Sequence, residues 1–247
     1  MIIAIDIGGA TLKVASYEHD ALSVPLRRTT PREFAAGFSL IKDLVRQAAG
    51  EGIIDAIVIG VRGILAEDGR RIERDTVLLN WVGKPLSYLL EHEFKVPVTL
   101  APASMCAAHA DTHAEPSMYF NVGAGVSAAT HEKAIHSHDM LDALDATIGG
   151  LAVTGRRGVH PYEIPLDDTY WRHAADYLAH GIAQLAKEEK VSIVVLGGAM
   201  ILGYPKISIP DTIQSVHKLI GADSSPTIVP TRHGDNVVLV GAVRLLI

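Results

Sequence analysis

A chain of 247 residues with 48% hydrophobic and 20% charged content and a net charge of −6 has the balance of an ordinary globular protein. Its 22 Lys+Arg against 28 Asp+Glu leave no basic excess to neutralise a phosphate backbone, which sets nucleic-acid binding aside. The single cysteine, Cys106, excludes internal disulfides and a cysteine-rich zinc site, and the longest apolar stretch, VSIVVLGGAMILG (191–203), falls short of the roughly 20 residues of a membrane span.

The chain opens with IAIDIGGATLKVA (3–15), an apolar run that breaks at two glycines and resumes. It reads as two antiparallel strands around Gly8-Gly9, with the acid Asp6 inside the first. No basic segment leads into an apolar stretch and a small-residue cleavage site, so the expectation is a cytoplasmic protein. Residues 31–52 have helical periodicity, with Pro31 at the start and Gly50 and Gly52 at the end. A β-branched strand (54–61), an amphipathic helix (83–94), a strand (96–101) and an alanine-rich helix (104–114) follow.

After Pro116 the pattern restarts: SMYFNVGAGVSAATH (117–131) repeats the strand–glycine–strand design. Residues 169–190 form the strongest helical pattern, with Trp171, Ala174, Ala175, Leu178, Ile182 and Leu185 on one side. VSIVVLGGA (191–199) reads as a core strand, TIVPT as a short extended piece, and NVVLVGAVRLLI as a strand by its apolar run. The expected architecture is α/β and duplicated, with halves at 1–114 and 115–247.

Glycine turns that grip phosphate serve in two ways. They adopt positive φ, and they let backbone N–H groups approach an oxyanion without an intervening Cβ. Gly8, Gly9, Gly123, Gly125, Gly197 and Gly198 are the candidates, with Thr11 and Lys13 as donors and Asp6 as a Mg²⁺ ligand. Each turn alone reads more readily as a plain hairpin; their ordered recurrence in both halves points to a nucleotide.

The order DIGGATLK, GVRGIL, LLNWVGKPL, FKVPV, NVGAGVS, VVLGGA resembles the ROK family of sugar kinases, within the actin–hexokinase superfamily. The resemblance runs over nearly the whole chain, and it turns GDNVVLVGAVRLL (234–246) into a closing helix. It implies two RNase-H-like lobes with a nucleotide cleft between them, ATP and Mg²⁺ as cofactors, and a sugar or small polyol as acceptor. It also implies a substrate role for Asn80, whose plainer reading is a turn cap before Trp81. A homodimer follows from the family's habit, with no interface marked in the sequence.

The resemblance also exposes departures. The family's proton-accepting Asp, in an Asn-Asp pair after the PV strand, aligns with Pro102 and Ala103, and Asp111 lies too far along the helix to replace it. The sugar-holding Glu and His align with Thr147 and Gly150, the zinc loop is replaced by TGRRGVHPYE, Arg62 stands where proline is usual, and Ala10 where Thr is. A general base contributes about 10²–10⁴-fold to such a transfer. The expectation is a ROK-like protein that binds ATP with weak, altered or lost phosphoryl transfer to sugar, and with no catalytic residue assigned. Two alternatives are a non-enzymatic nucleotide or metabolite sensor, and an active kinase of a non-sugar acceptor with its base at His138, Asp139 or His160. The histidines of HEKAIHSH (131–138) and the Arg156-Arg157 pair read as exposed loop residues over metal or anion ligands, and Cys106 as a buried small hydrophobe.

Overall fold

The computed structural model describes residues 1–136 and 138–247. The strands are β1 (Ile2–Ile7), β2 (Thr11–Glu18), β3 (Ala21–Leu22), β4 (Leu26–Thr29), β5 (Ala56–Val61), β6 (Ile64–Leu65), β7 (Ile72–Arg74), β8 (Val98–Pro102), β9 (Ser117–Val122), β10 (Val126–Thr130), β11 (Ala134–Ile135), β12 (Ile193–Gly197) and β13 (Thr227–Pro230). The helices are α1 (Phe34–Ala49), α2 (Leu86–Phe94), α3 (Ala103–Ala110), α4 (Asp139–Ile148), α5 (Gly150–Arg157), α6 (Tyr170–Glu188), α7 (Ala199–Leu202), α8 (Ile209–Ile220) and α9 (Val237–Arg244).

Two compact units result. One comprises Met1–Ala110 with Asn236–Ile247, and the other Asp111–Asp235. Against halves at 1–114 and 115–247, residues 111–114 fall in the second unit and α9 falls in the first. Its Leu239, Ala242 and Val243 are buried against Ala4, Ala15, Val58 and Cys106, so the helix completes the first unit's core.

In the first unit the main sheet runs β3-β2-β1-β5-β8, with β4 on β2. The hairpin β1–β2 is antiparallel with Asp6 opposite Lys13, and β1–β5–β8 are parallel with Val61 beside Pro102. One face of the sheet buries Ile3, Ile5, Ile57 and Ile59 against α1 residues Ile41, Leu44 and Val45. The other face is closed by α3 and α9, which approach so closely that a Cβ on Gly241 would overlap the Cys106 carbonyl. Burial pushes the Cys106 thiol up, as its reading as a core hydrophobe requires.

The second unit repeats the order as β11-β10-β9-β12-β13: an antiparallel hairpin, then two parallel neighbours. Its core gathers Phe120, Val122, Val194 and Leu196 of the sheet with Trp171, Leu178, Ile182 and Leu185 of α6. Helices α4, α5 and α8 were not expected. A break at Gly149-Gly150 divides α4 from α5, which hid both from a periodicity reading, whereas Ser208 caps α8 with Pro210 in its first turn, a legible start signal. The alanine-rich helix stops at Ala110 and does not reach 114, because Asp111 leaves it to accept hydrogen bonds from Thr231 Oγ1 and the Arg232 amide. The closing segment is helical, as the family resemblance implied and its apolar run did not.

Candidate functional site

Strand β1 delivers Asp6 inward one residue before its end, and the register of the hairpin sets Lys13 across from it. Nζ of Lys13 lies 3.1 Å from Asp6 Oδ2, and both side chains are nearly buried. The turn between them is tied down by three bonds: Gly8 N–H to Thr11 O at 3.0 Å, Thr30 N–H to Ala10 O at 3.0 Å, and Thr30 Oγ1 to Gly8 O at 2.8 Å. Thr30, itself buried, escaped the sequence reading because it lies outside the motif and reaches the turn through β4.

The glycines of this turn are not in left-handed conformations; of the six candidates only Gly198 has positive φ, at 92°. Close approach explains Gly8, Gly9, Gly125 and Gly197, whereas a Cβ on Gly123 would meet only ordinary contacts, the nearest at 3.5 Å. A Cβ on Gly8 would lie 2.9 Å from Thr11 O, and one on Gly9 would lie 2.6 Å from Arg62 Nη1 and 3.1 Å from Val77 Cγ1. Arg62 is thus packed on the turn. Its Nε donates to Asp75 Oδ2 at 2.7 Å, while Asp75 Oδ1 accepts from the amides of Val77 and Leu78.

That segment leads into a short 3₁₀ turn, Leu79–Trp81. Trp81 is buried, donates its indole N–H to Pro31 O at 3.0 Å, and meets Phe34 edge-on at 5.4 Å. Asn80 is exposed and donates Nδ2 to Glu33 Oε1 at 2.7 Å. Beside this corner β8 passes into α3 at Pro102-Ala103, two side chains without a titratable group.

In the second unit Gly123 N–H donates to Gly125 O at 2.9 Å, closing the corresponding turn. The first amides of α5 are spent on it: Gly150 N–H donates to Gly123 O at 2.8 Å and Leu151 N–H to Ala124 O at 2.9 Å. Asp145 of α4 accepts from Val126 N–H at 2.9 Å, and a Cβ on Gly125 would lie 2.8 Å from the same carboxylate. An anion at Gly125 therefore meets a negative side chain, a feature the sequence reading missed. Asn121, one residue before the end of β9, faces Ser127 as Asp6 faces Lys13. The repeat of D-I-G-G as N-V-G-A was the signal for it.

Gly197 ends β12 where any Cβ would overlap the Tyr119 hydroxyl, and a Cβ on Gly198 would overlap Val122 O and lie 2.8 Å from Asn121 Oδ1. Gly197 is therefore required by the core, and Gly198 by its left-handed backbone before α7.

The remaining candidates separate. His138 is no free loop residue: Nδ1 accepts from the Met140 amide at 3.1 Å, capping α4, and Nε2 lies 2.7 Å from Glu188 Oε2. The hydrogen bond from Gln184, then that with His138 Nε2, holds the Glu188 carboxyl below its ordinary range. Asp139 opens α4, and His160 stacks on Tyr162 at 5.2 Å. Arg156 and Arg157 lie in the last turn of α5 and not in a loop. Arg156 donates to the carbonyls of Ala146 and Thr147, and Arg157 lies 2.7 Å from Asp168 Oδ2. They line a cavity of about 370 Å³ with Thr147, Tyr170, His173 and Tyr177. Among the described residues no three His, Cys, Asp or Glu gather to hold a metal, and no helix is long and apolar enough to cross a membrane.

Residues 2–131 match the ROK family. A curated protein of Clostridium perfringens, itself uncharacterised, is 22% identical over 81% of this chain and 82% of its own length. Among solved structures, a ROK glucokinase of Streptomyces griseus in complex with glucose and AMPPNP superposes with a TM-score of 0.78 at 17% identity, covering 99% of this chain and 98% of that one. A ROK hexokinase of Thermus thermophilus gives 0.76 at 20% identity, covering 98% and 96%. The likeness in fold extends across both units, and the chain belongs to the ROK family.

Proposed function

We propose that this chain binds Mg-ATP from the cytoplasmic nucleotide pool through the Gly8–Gly9 turn, and that it phosphorylates sugars weakly or not at all. The observation that carries the reading is an asymmetry at one corner of the first unit. The turn keeps its close-packed glycines, its Lys13–Asp6 pair and Thr11, while β8 hands over to α3 through Pro102 and Ala103, which cannot accept a proton. In support, the Streptomyces griseus relative carries glucose and AMPPNP on the same fold.

The residues fit a magnesium nucleotide in kind. Mg²⁺ is commonly held by one or two carboxylates together with substrate phosphates and water, and Asp6 supplies such a carboxylate beside the turn. When bound, the ion neutralises charge on the phosphate oxygens. Lys13 supplies the compensating cation, and Thr11, half-exposed at the start of β2, a hydroxyl donor. Gly123, Gly125, Gly197 and Gly198 belong to the same reading, with the Asp145 carboxylate weakening the second turn as an anion site. Asn80 is the one sugar-side residue that the reading retains.

The test is calorimetric titration with Mg-ATP, paired with ADP release across hexoses, N-acylated amino sugars and small polyols. The expected result is binding without sugar-dependent release. Sugar-dependent ADP release at a rate typical of kinases, lost in Asp6→Asn/Lys13→Met, would show an active sugar kinase with its base elsewhere. Absence of Mg-ATP binding would end the nucleotide reading.

A further inference from the structure

The nucleotide reading makes no use of Arg62. It leaves β5 directly after Val61, which pairs with Pro102, so its backbone starts beside the end of β8. Asp75 clamps it through Nε at 2.7 Å, and Asp75 is in turn saturated by the Val77 and Leu78 amides, with its side chain 2% exposed. Nη1 lies over Gly9, and the side chain keeps 22% of its surface open. A planar cation whose Nε is already committed, with its Nη donors on a phosphate-type turn, suits one further oxyanion. It stands between that turn and the segment leading to Asn80.

The acids of this corner are each engaged: Asp6 by Lys13, Asp75 by Arg62 and two amides, and Glu33 by the Asn80 amide. A hydroxyl acceptor needs a group to take its proton, but a carboxylate acceptor has none to lose. Two anions must then be brought together, and a fixed guanidinium offsets their repulsion.

We propose, building on the nucleotide reading above, that the acceptor is a small carboxylic acid held through its carboxylate by Arg62, and that the product is an acyl phosphate. A carboxylate oxygen forms a bond to the γ-phosphorus, the bond from that phosphorus to the β,γ-bridging oxygen breaks, and ADP leaves with the electron pair. No proton is transferred.

The experiment incubates the protein with Mg-ATP and acetate, glycerate or gluconate, against glycerol and glucose, and traps acyl phosphate with hydroxylamine as the hydroxamate. Calorimetry with Mg-ATP and Mg-ADP runs alongside, on the wild type, Arg62→Met and Arg62→Met/Asp75→Asn. The double variant removes both charges together, so Asp75 is not left buried without its cation, and circular dichroism checks that it folds.

The expected result is acid-dependent hydroxamate, reduced about tenfold or more in both variants, as loss of a charged hydrogen bond implies, with Mg-ATP affinity retained. Mg-ATP binding without hydroxamate from any acid overturns this proposal alone. Hydroxamate formation indifferent to Arg62 overturns it too, as does a loss confined to Mg-ATP over Mg-ADP affinity, which would assign Arg62 to the nucleotide's terminal phosphate. No Mg-ATP binding removes the nucleotide reading and this proposal with it.

Discussion

Lys13→Ala leaves Asp6 as a nearly buried carboxylate beside an empty cation position, and removing one partner of a buried pair typically costs about 3–5 kcal/mol. The single variant should therefore lose stability in chemical denaturation as well as nucleotide affinity. Asp6→Asn/Lys13→Met, which removes both charges, should recover most of the stability while affinity stays low. Trp81 offers a contrast, since its role is packing: it fills the space over Gly37, where a Cβ would overlap its ring. Trp81→Ala should cost about 3–5 kcal/mol, measured by urea unfolding. The facing of Asp6 and Lys13 was legible, because a tight hairpin turn fixes the register of the residues that flank it. The clamp of Arg62 by Asp75 was not. Thirteen residues separate them, and they meet only because the β6–β7 hairpin folds the chain back, a geometry set by two short strands with little pattern of their own.

Between elements, the contact of α5 with the start of α6 is electrostatic. The hydrogen bond from Arg157, then that from the Tyr170 amide, holds the Asp168 carboxyl below the usual carboxylate range. A depressed folded-state value stabilises the protein above the unfolded carboxylate's range, and the contribution is lost as pH falls through the folded-state value. Melting temperature followed from neutral pH into acid should therefore drop less steeply in Asp168→Asn than in the wild type. The sheet junction at β12 and β9 responds to size instead of charge: Gly197→Ala forces a methyl into the Tyr119 hydroxyl and should destabilise by about 1–3 kcal/mol, read by thermal unfolding. Long periodic elements such as α6 and short β-branched runs such as β5 were readable, because their burial pattern repeats within the segment. Helix α9 was not readable from its own pattern, since its VVLVGAV run is apolar on every side, and only the family resemblance implied it. What seats it in the core is the close approach of Gly241 to Cys106, which no local window contains.

Across the molecule, the two units share one strand order and differ in how the chain supplies them. Residues Asp111–Asp235 are contiguous, whereas the first unit is assembled from Met1–Ala110 and Asn236–Ile247. During synthesis the ribosome thus delivers all of the second unit before α9. The first sheet must wait with one face covered by α3 alone, and Ala4, Ala15, Val58 and Cys106 lack the rest of their cover until Leu239, Ala242 and Val243 emerge. Cys106 becomes a built-in clock for that wait. Pulse-labelling with a thiol reagent should modify Cys106 in nascent chains stalled at residue 235 and spare it in full-length chains. Equal protection in both would mean that the first unit closes without its last helix.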